Sequence, residues 1–372
     1  MPEIRIDPLS GHRTIIAGER SRRPGGEPRC EPPEAIDAER DPFAEGHESR
    51  TPPELYAVRP GGGPRDSPGW TVRVVPNLYP ALTPEAGLDG EDGPSVHGDE
   101  RDREVGHGDD GGVGGNSGSG GDGSSGRGGA EWSQSARAPT NSELFIARPA
   151  RGAHEVIVNG PQSVLSLADL PAAQVAAAVG VWRERMRAHE QAAYVQLIVN
   201  ERHEAGASLP HTHAQLYALD FVPADIARER ERAGAYTTRT MGHSLLEDVI
   251  AEEVRRRERV VAIDDECVML APYASRLPFA LMLAPRRPAA RFETDDVGAA
   301  LLHDGLSRLA RLLGSSPPLN LWIRTAPRGV EQFCWRIDIA PRLTHLAGLE
   351  LSTGLNLNIV SPEHAASLLR DA

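Results

Sequence analysis

The sequence predicts an α+β protein built from two duplicated lobes, each a mainly antiparallel sheet flanked by helices. Three observations lead there. Short stretches of alternating apolar residues recur along the chain. Two longer stretches carry the three-and-four apolar spacing of a helix. The order strand, strand, helix, strand, strand occurs twice. A chain of 372 residues can bury the large core that two such lobes need. The first lobe is read over residues 1–240 and the second over 241–372.

In the first lobe, Trp70-Thr-Val-Arg-Val-Val75 alternates as a strand and runs into Pro76-Asn77-Leu-Tyr79-Pro. Residues 83–141 are mostly Gly, Ser, Asp and Glu and cannot bury enough apolar surface to offset their ordering entropy. The segment separates two neighbouring strands, so it reads as a disordered insertion in a loop and not as a domain boundary. Order is expected to resume at Leu144-Phe-Ile-Ala and again at His154-Glu-Val-Ile-Val158. Ser166-Leu-Ala-Asp169 has the form of a capping box, and the helix after it spaces Val175, Val179, Trp182 and Met186 on one stripe. Tyr194–Val199 is the next strand. A charged helix follows from about Ser244 to Arg257.

The second lobe repeats this plan. Val260–Ile263 and Cys267–Leu270 lead into a Pro/Tyr-containing turn, and Ala280–Pro285 echoes the His154 strand. Thr294-Asp-Asp caps a helix running to about Gly314, with Val297, Leu301, Leu302, Leu306, Leu309 and Leu313 on one side. Asn320–Arg324 echoes the strand ending at Asn200, and Phe333–Ile339 echoes the strand that begins near His211. Ser361-Pro-Glu opens a short C-terminal helix.

His211-Thr212-His213-Ala214-Gln215 carries the chemistry. On a strand, alternate side chains share a face, which would put two imidazoles and one amide in a row. The loop just before it, Asn200-Glu-Arg-His-Glu-Ala-Gly206-Ala-Ser208, offers backbone N–H groups and a hydroxyl where an anion would sit. A neutral imidazole beside donors for phosphoryl oxygens is the equipment of a histidine that attacks phosphorus.

The whole segment resembles the active-site segment of the galactose-1-phosphate uridylyltransferase family, a branch of the histidine-triad superfamily. That signature runs Asn, a short loop, then Gly-x-Ser-x-x-His-x-His-x-Gln, and the chain matches it in order and spacing. The resemblance implies two histidine-triad-like lobes, with His213 as nucleophile and Gln215 holding a non-bridging oxygen of a nucleotidyl-histidine. It places Ser208, Asn200 and Gly206 at the phosphates, with His211 beside them. Arg20-Ser-Arg-Arg23-Pro is similar to the family's Arg-x-x-Arg-Pro element, which gives Arg20 and Arg23 to the nucleotide phosphates. Asn77 would contact base or ribose. Ala347-Gly-Leu-Glu350 falls in the family's sugar-contacting region, with Glu350 at a hexose contact and Asn356 or Asn358 near another.

The implied reaction moves a nucleoside monophosphate, UMP by default, between a nucleoside diphosphate sugar and a hexose 1-phosphate. A phosphorylase acting on a nucleoside diphosphate sugar or dinucleoside polyphosphate is the first alternative, and an inactive nucleotide-binding paralogue is the second. The resemblance also implies a homodimer.

Many relatives hold a zinc with a Cys-x-x-Cys, a later His and the first His of His-x-His. Here those places read Asp41-Pro-Phe-Ala44, Ser163 and His211. One of four ligands remains, and a tetrahedral site needs at least three protein donors. No metal and no other cofactor is therefore expected, with Asp41, His47 and His154 the residues from which a site would be rebuilt. Arg336 and Asp338 stand where some relatives carry His at a second metal.

Composition excludes other classes. The net charge of −13 is concentrated in the insertion, so nothing suggests a nucleic-acid surface. Every one of the 40 Lys-or-Arg side chains is Arg, as codon bias in a GC-rich genome would produce. Three scattered cysteines suit a reducing compartment. The start of the chain lacks an apolar signal core and no apolar stretch would span a bilayer, so a cytoplasmic location with no membrane partner is expected. Deleting residues 88–129 should leave thermal stability and activity unchanged, and a melting temperature lowered by several degrees would refute that reading.

Overall fold

The computed structural model describes residues 1–22, 30–84 and 144–372. Arg23 and nearly all of the 83–141 insertion lie outside them. A three-stranded sheet joins β1 (Glu3–Ile6), β2 (Arg13–Ile16) and, parallel to β2, the late strand Asn356–Asn358. The main sheet has ten strands. The first half of the chain supplies β3 (Tyr56–Val58), β4 (Val72–Pro76), β5 (Gly152–Val158), β6 (Tyr194–Glu201) and β7 (His213–Leu219). The second half supplies β8 (Val260–Ile263), β9 (Cys267–Leu270), β10 (Leu281–Pro285), β11 (Leu319–Arg324) and β12 (Arg336–Pro341). The order is β3-β4-β5-β7-β6-β11-β12-β10-β9-β8, antiparallel throughout.

That order reads the same from either edge, with β7 answering to β12 and β6 to β11. The two halves meet at the β6–β11 pairing, where Asn200 lies opposite Asn320 and Ile198 opposite Trp322. Ile198 is in turn opposite Gln215, and Trp322 opposite Asp338. Gln215, Ile198, Trp322 and Asp338 thus form one row across the four central strands, on one face of the sheet.

The other face is dry. Leu197, Val199, Ala214 and Leu216 of the first half, and Leu281, Leu283, Leu321, Ile323, Ile337 and Ile339 of the second, are all buried in one continuous core. Two helices cover it. The first, α1 (Ala172–Ala188), buries Val175, Val179, Trp182 and Met186, the stripe expected from the sequence. Ser166 accepts a hydrogen bond from Ala168 N–H in the 3-10 turn ahead of it. Each large apolar side chain so buried contributes roughly 1.5–3 kcal/mol.

Helix α2 (Ala224–Arg239) was not expected. It buries only Ile226 and Glu229, so its sequence has too few apolar positions to show a helical period. Helix α3 (Leu245–Arg256) falls where the charged helix was expected, and Ser244 caps it. Helix α4 (Ala299–Leu313), which packs beside α1 on the dry face, starts after Gly298 and not at Thr294, because Phe292–Thr294 forms a separate 3-10 turn. Helix α5 (Gly348–Thr353) precedes β13, the Asn356–Asn358 strand, and α6 (Pro362–Asp371) closes the chain with Ser361 as its cap. Residues 144–149 form no strand and are exposed; Arg151 bridges Thr83, and β5 itself begins at Gly152. Among the described residues no helix is long and apolar enough to cross a membrane.

Gly152 shows how tightly β5 enters the sheet. Its φ is +143°, and a Cβ there would lie 2.0 Å from the carbonyl oxygen of Ala218 on β7. Gly152→Ala should therefore destabilise the protein by about 2 kcal/mol or more. A denaturant midpoint unchanged from wild type would show that β5 tolerates a side chain at this crossing.

Candidate active site

The fold brings His213 and Gln215 to the open face of β7, as their spacing predicts, but the strand starts only at His213. His211 belongs to the preceding loop and its ring turns away into the interior. Its Nδ1 lies 2.7 Å from Asp41 Oδ2 and its Nε2 lies 2.8 Å from the Gly160 carbonyl. Both ring nitrogens face oxygen acceptors, and the side chain is fully buried. Burial works against the Asp41 carboxylate, yet hydrogen bonds from His211 and Ser163 hold its pKa below the usual carboxylate value.

His213 Nδ1 sits 2.7 Å from the carbonyl oxygen of His211. A carbonyl can only accept, so Nδ1 carries the hydrogen and Nε2 keeps its lone pair. Burial lowers the pKa of this imidazole, the bond to His211 O opposing, so the neutral form prevails near pH 7. Phe43 packs edge-on against the ring with centroids 5.2 Å apart. The side chain is thus held as a neutral imidazole of defined tautomer, with the lone pair on Nε2.

Gln215 is oriented by two groups that sequence reading did not assign to the site. His154 Nε2 lies 3.1 Å from Gln215 Oε1, and the Tyr217 hydroxyl donates to the same oxygen at 2.9 Å. Ala81 N–H donates to His154 Nδ1 at 3.1 Å, which leaves Nε2 as the protonated nitrogen. Burial lowers the His154 pKa, although its bond to Gln215 opposes, and its ring stacks on Tyr217 at 4.1 Å. The Gln215 carbonyl end is therefore occupied and its NH₂ end is the one presented outward. Asn77 lies beside the same cluster, its Nδ2 3.1 Å from His154 Nε2, a contact between two N–H groups and not a hydrogen bond. A signal for His154 was in the sequence. It shares a face with Val156 and Val158, and β5 lies beside the strand bearing His213 and Gln215.

Asn200 repeats the pattern at the seam. Its Oδ1 accepts from Asn320 Nδ2 at 2.8 Å, and the same nitrogen reaches the Ala205 carbonyl at 2.7 Å. Asn320 thereby ties the β6–β7 loop to β11 and leaves the Asn200 NH₂ available. In that loop Gly206 has φ +90°, a left-handed conformation that suits glycine. Contrary to expectation, the backbone donors around Gly206 are engaged within the loop: Gly206 N–H donates to His203 O and Ala207 N–H to Arg202 O. Ser208 is exposed just beyond.

Other expected contacts are not gathered here. Arg20 is exposed on the short helix Gly18–Arg22, and Glu350 caps its own helix by accepting from Ala347 N–H at 2.9 Å. Among the described residues, no hydrogen bond or ion pair joins either one to the His213 cluster.

The metal positions differ from a ligand set. Asp41, Ser163 and His211 meet in hydrogen bonds, Ala44 offers no donor, and His154 serves Gln215 instead. Among the described residues, no three His, Cys, Asp or Glu side chains are placed to hold a metal. Where a second metal was weighed, one terminal nitrogen of Arg336 donates to both Glu229 oxygens at 3.0 and 3.1 Å and its Nε donates to Asp338 at 3.1 Å, a buried ion-pair cluster.

Next to β7 lies Glu201, at the end of β6. It accepts from Ser166 Oγ at 2.5 Å, Leu167 N–H at 2.6 Å and Thr212 Oγ1 at 3.2 Å, and so grips the residue between the two histidines. Burial pushes its pKa up from 4.5 to about 7. A carboxyl with a raised folded-state pKa stabilises the fold while protonated, and that contribution is lost as pH rises through about 7. Between pH 4 and 8 this loss is on the order of 3 kcal/mol. Glu201→Gln should flatten the fall in stability over that range. Parallel stability–pH curves for the two proteins would contradict the assignment.

The sequence and the fold are both similar to those of known enzymes. The family described as galactose-1-phosphate uridyl transferase, N-terminal domain, matches residues 130–223. An ADP-glucose phosphorylase of Arabidopsis thaliana is 26% identical over the whole chain and 93% of its own length. A galactose-1-phosphate uridylyltransferase of Haemophilus influenzae is 28% identical over 63% of this chain and 71% of its own. Among solved structures, an ADP-glucose phosphorylase from Arabidopsis thaliana with bound ADP-glucose superposes with a TM-score of 0.71 at 25% identity, covering 100% of this chain and 99% of the other.

Proposed function

The chain belongs to the galactose-1-phosphate uridylyltransferase family, a family of enzymes that includes nucleotidyltransferases acting on sugar phosphates, and on that premise we propose that it works through His213. Nε2 attacks the α-phosphorus of a nucleoside diphosphate sugar. The P–N bond forms as the bond to the bridging oxygen breaks, and sugar 1-phosphate leaves. The imidazolium so formed keeps its Nδ1 hydrogen on the His211 carbonyl, which stabilises the positive charge. The outward NH₂ groups of Gln215 and Asn200, with Ser208, meet the non-bridging oxygens. A phosphate oxygen of the acceptor then takes the nucleotide and restores neutral His213. The observation that carries this reading is the His213–His211 bond, because it leaves the attacking nitrogen unprotonated.

Uridylyl transfer to a hexose 1-phosphate is one form of the reaction. A phosphorylase, in which inorganic phosphate is the acceptor, is favoured by a relative that aligns along the whole chain, an ADP-glucose phosphorylase. The protein is further proposed to be a cytoplasmic homodimer. Arg20, Arg23 and Glu350 are then assigned to phosphates and hexose in a site completed by the second copy.

Purified protein incubated with UDP-glucose or ADP-glucose, labelled in the nucleotide, should take up base-stable, acid-labile label. Turnover with galactose 1-phosphate or with inorganic phosphate then separates the two forms. His213→Gly should lower transfer by roughly a thousand-fold or more, with free imidazole restoring part of it. Near-normal turnover in that variant would remove His213 as nucleophile.

A further inference from the structure

Four positions where zinc-bearing relatives place their ligands read Asp41, Ala44, Ser163 and His211 in this chain. The first, third and fourth still converge. Asp41 Oδ2 accepts from Ser163 Oγ at 2.7 Å and lies 2.7 Å from His211 Nδ1. The other ring nitrogen of His211 lies 2.8 Å from the Gly160 carbonyl, so each nitrogen is closed off by a protein oxygen at hydrogen-bond distance and neither faces an open position. Asp41 is held in turn: its Oδ1 accepts from Phe43 N–H at 2.9 Å, and its own carbonyl lies 2.7 Å from His47 Nδ1. The Asp41 and His211 side chains are both fully buried. A tetrahedral metal does not fit this donor set, which has one carboxylate, one hydroxyl and an imidazole with both nitrogens engaged.

We infer that Asp41, Ser163 and His211 form a hydrogen-bonded tie that takes the place of the zinc, and that Asp41 is a positioning residue for the nucleophile. The path is short. Asp41 and the Gly160 carbonyl fix the ring of His211, so they fix its backbone carbonyl, and that carbonyl selects the tautomer of His213. The same loop lays Phe43 against the His213 ring, so one segment sets both the hydrogen bond and the packing of the nucleophile. The buried pair also acts as a lock. Removing one partner would strand the other away from water, which a well-made pair avoids.

This inference rests on the transfer reading for its catalytic half and is independent of it for its metal half. Full-length protein, prepared without added metal, should contain well under one zinc per chain, and chelator should leave its melting temperature unmoved. A stoichiometric metal whose removal lowers the melting temperature would overturn the tie. The triple variant Asp41→Cys, Ala44→Cys, Ser163→His should take up about one zinc and become chelator-sensitive. If it binds none, the three residues do not occupy ligand positions.

For the positioning role, Asp41→Ala should lower kcat about 10- to 100-fold with KM little changed, and Asp41→Asn, whose carbonyl can still accept, should recover part of the loss. In ¹⁵N-histidine spectra His213 should show a single Nδ1–H tautomer in wild type and a mixture in Asp41→Ala. A lowered melting temperature with kcat and tautomer intact would reduce Asp41 to a purely structural part. Absence of any turnover in wild type would sink the transfer reading alone, since metal content, melting and tautomer are read without it.

Discussion

The pairing of β6 with β11 is the constraint on which the rest depends. It makes one sheet out of two halves and lets a single core run beneath α1 and α4. It also places Asn320 where its amide can hold both Asn200 and the loop that leads to His213. The loop that leads to His213 on β7 is therefore held partly from the opposite half of the chain. An antiparallel seam is well suited to this, because its register cannot slip by one residue without turning the whole dry face to water.

A second regularity is how amides and imidazoles are given direction. Gln215 and Asn200 each have the carbonyl end occupied by a fixed donor, so the NH₂ ends point outward together. His213 and His154 each have one nitrogen committed to a backbone group, which decides what the other can do. Preorganisation of this kind means that donors need little reorientation when charge develops on a phosphoryl group. It requires no unusual residues, only neighbours that are themselves held.

Much of this was legible in the sequence, and the reasons differ by element. The His-x-His-x-Gln run and the Gly/Ser loop before it are local, so spacing could mark them as a site, while the resemblance to the family singled out His213, Gln215, Asn200 and Ser208 within it. The helices with strong apolar stripes, α1 and α4, were visible for the same reason. Helix α2 was not, because it meets the protein through Ile226 and Glu229 alone. His154 and Tyr217 were missed as parts of the site because their role lies in the register between β5 and β7, where they stand opposite each other. Likewise, Asp41 reads as a lost ligand until the fold brings it 2.7 Å from a histidine 170 positions away. The outward direction of His211 was misjudged because a strand was assumed to begin two residues early.

The mirrored strand order has a genetic consequence. His213 and Gln215 on β7 answer to Arg336 and Asp338 on β12, so the same sheet position exists twice in every chain under separate codons. In an assembly of identical single-lobe subunits, any change to that position would strike every centre at once. Here one copy has diverged into a buried cluster of Arg336, Asp338 and Glu229 while the other retains an imidazole and an amide. Repetition of a sheet position within one polypeptide thus permits a division of labour that symmetry between separate chains forbids, and leaves one imidazole-and-amide pair for each two such positions translated.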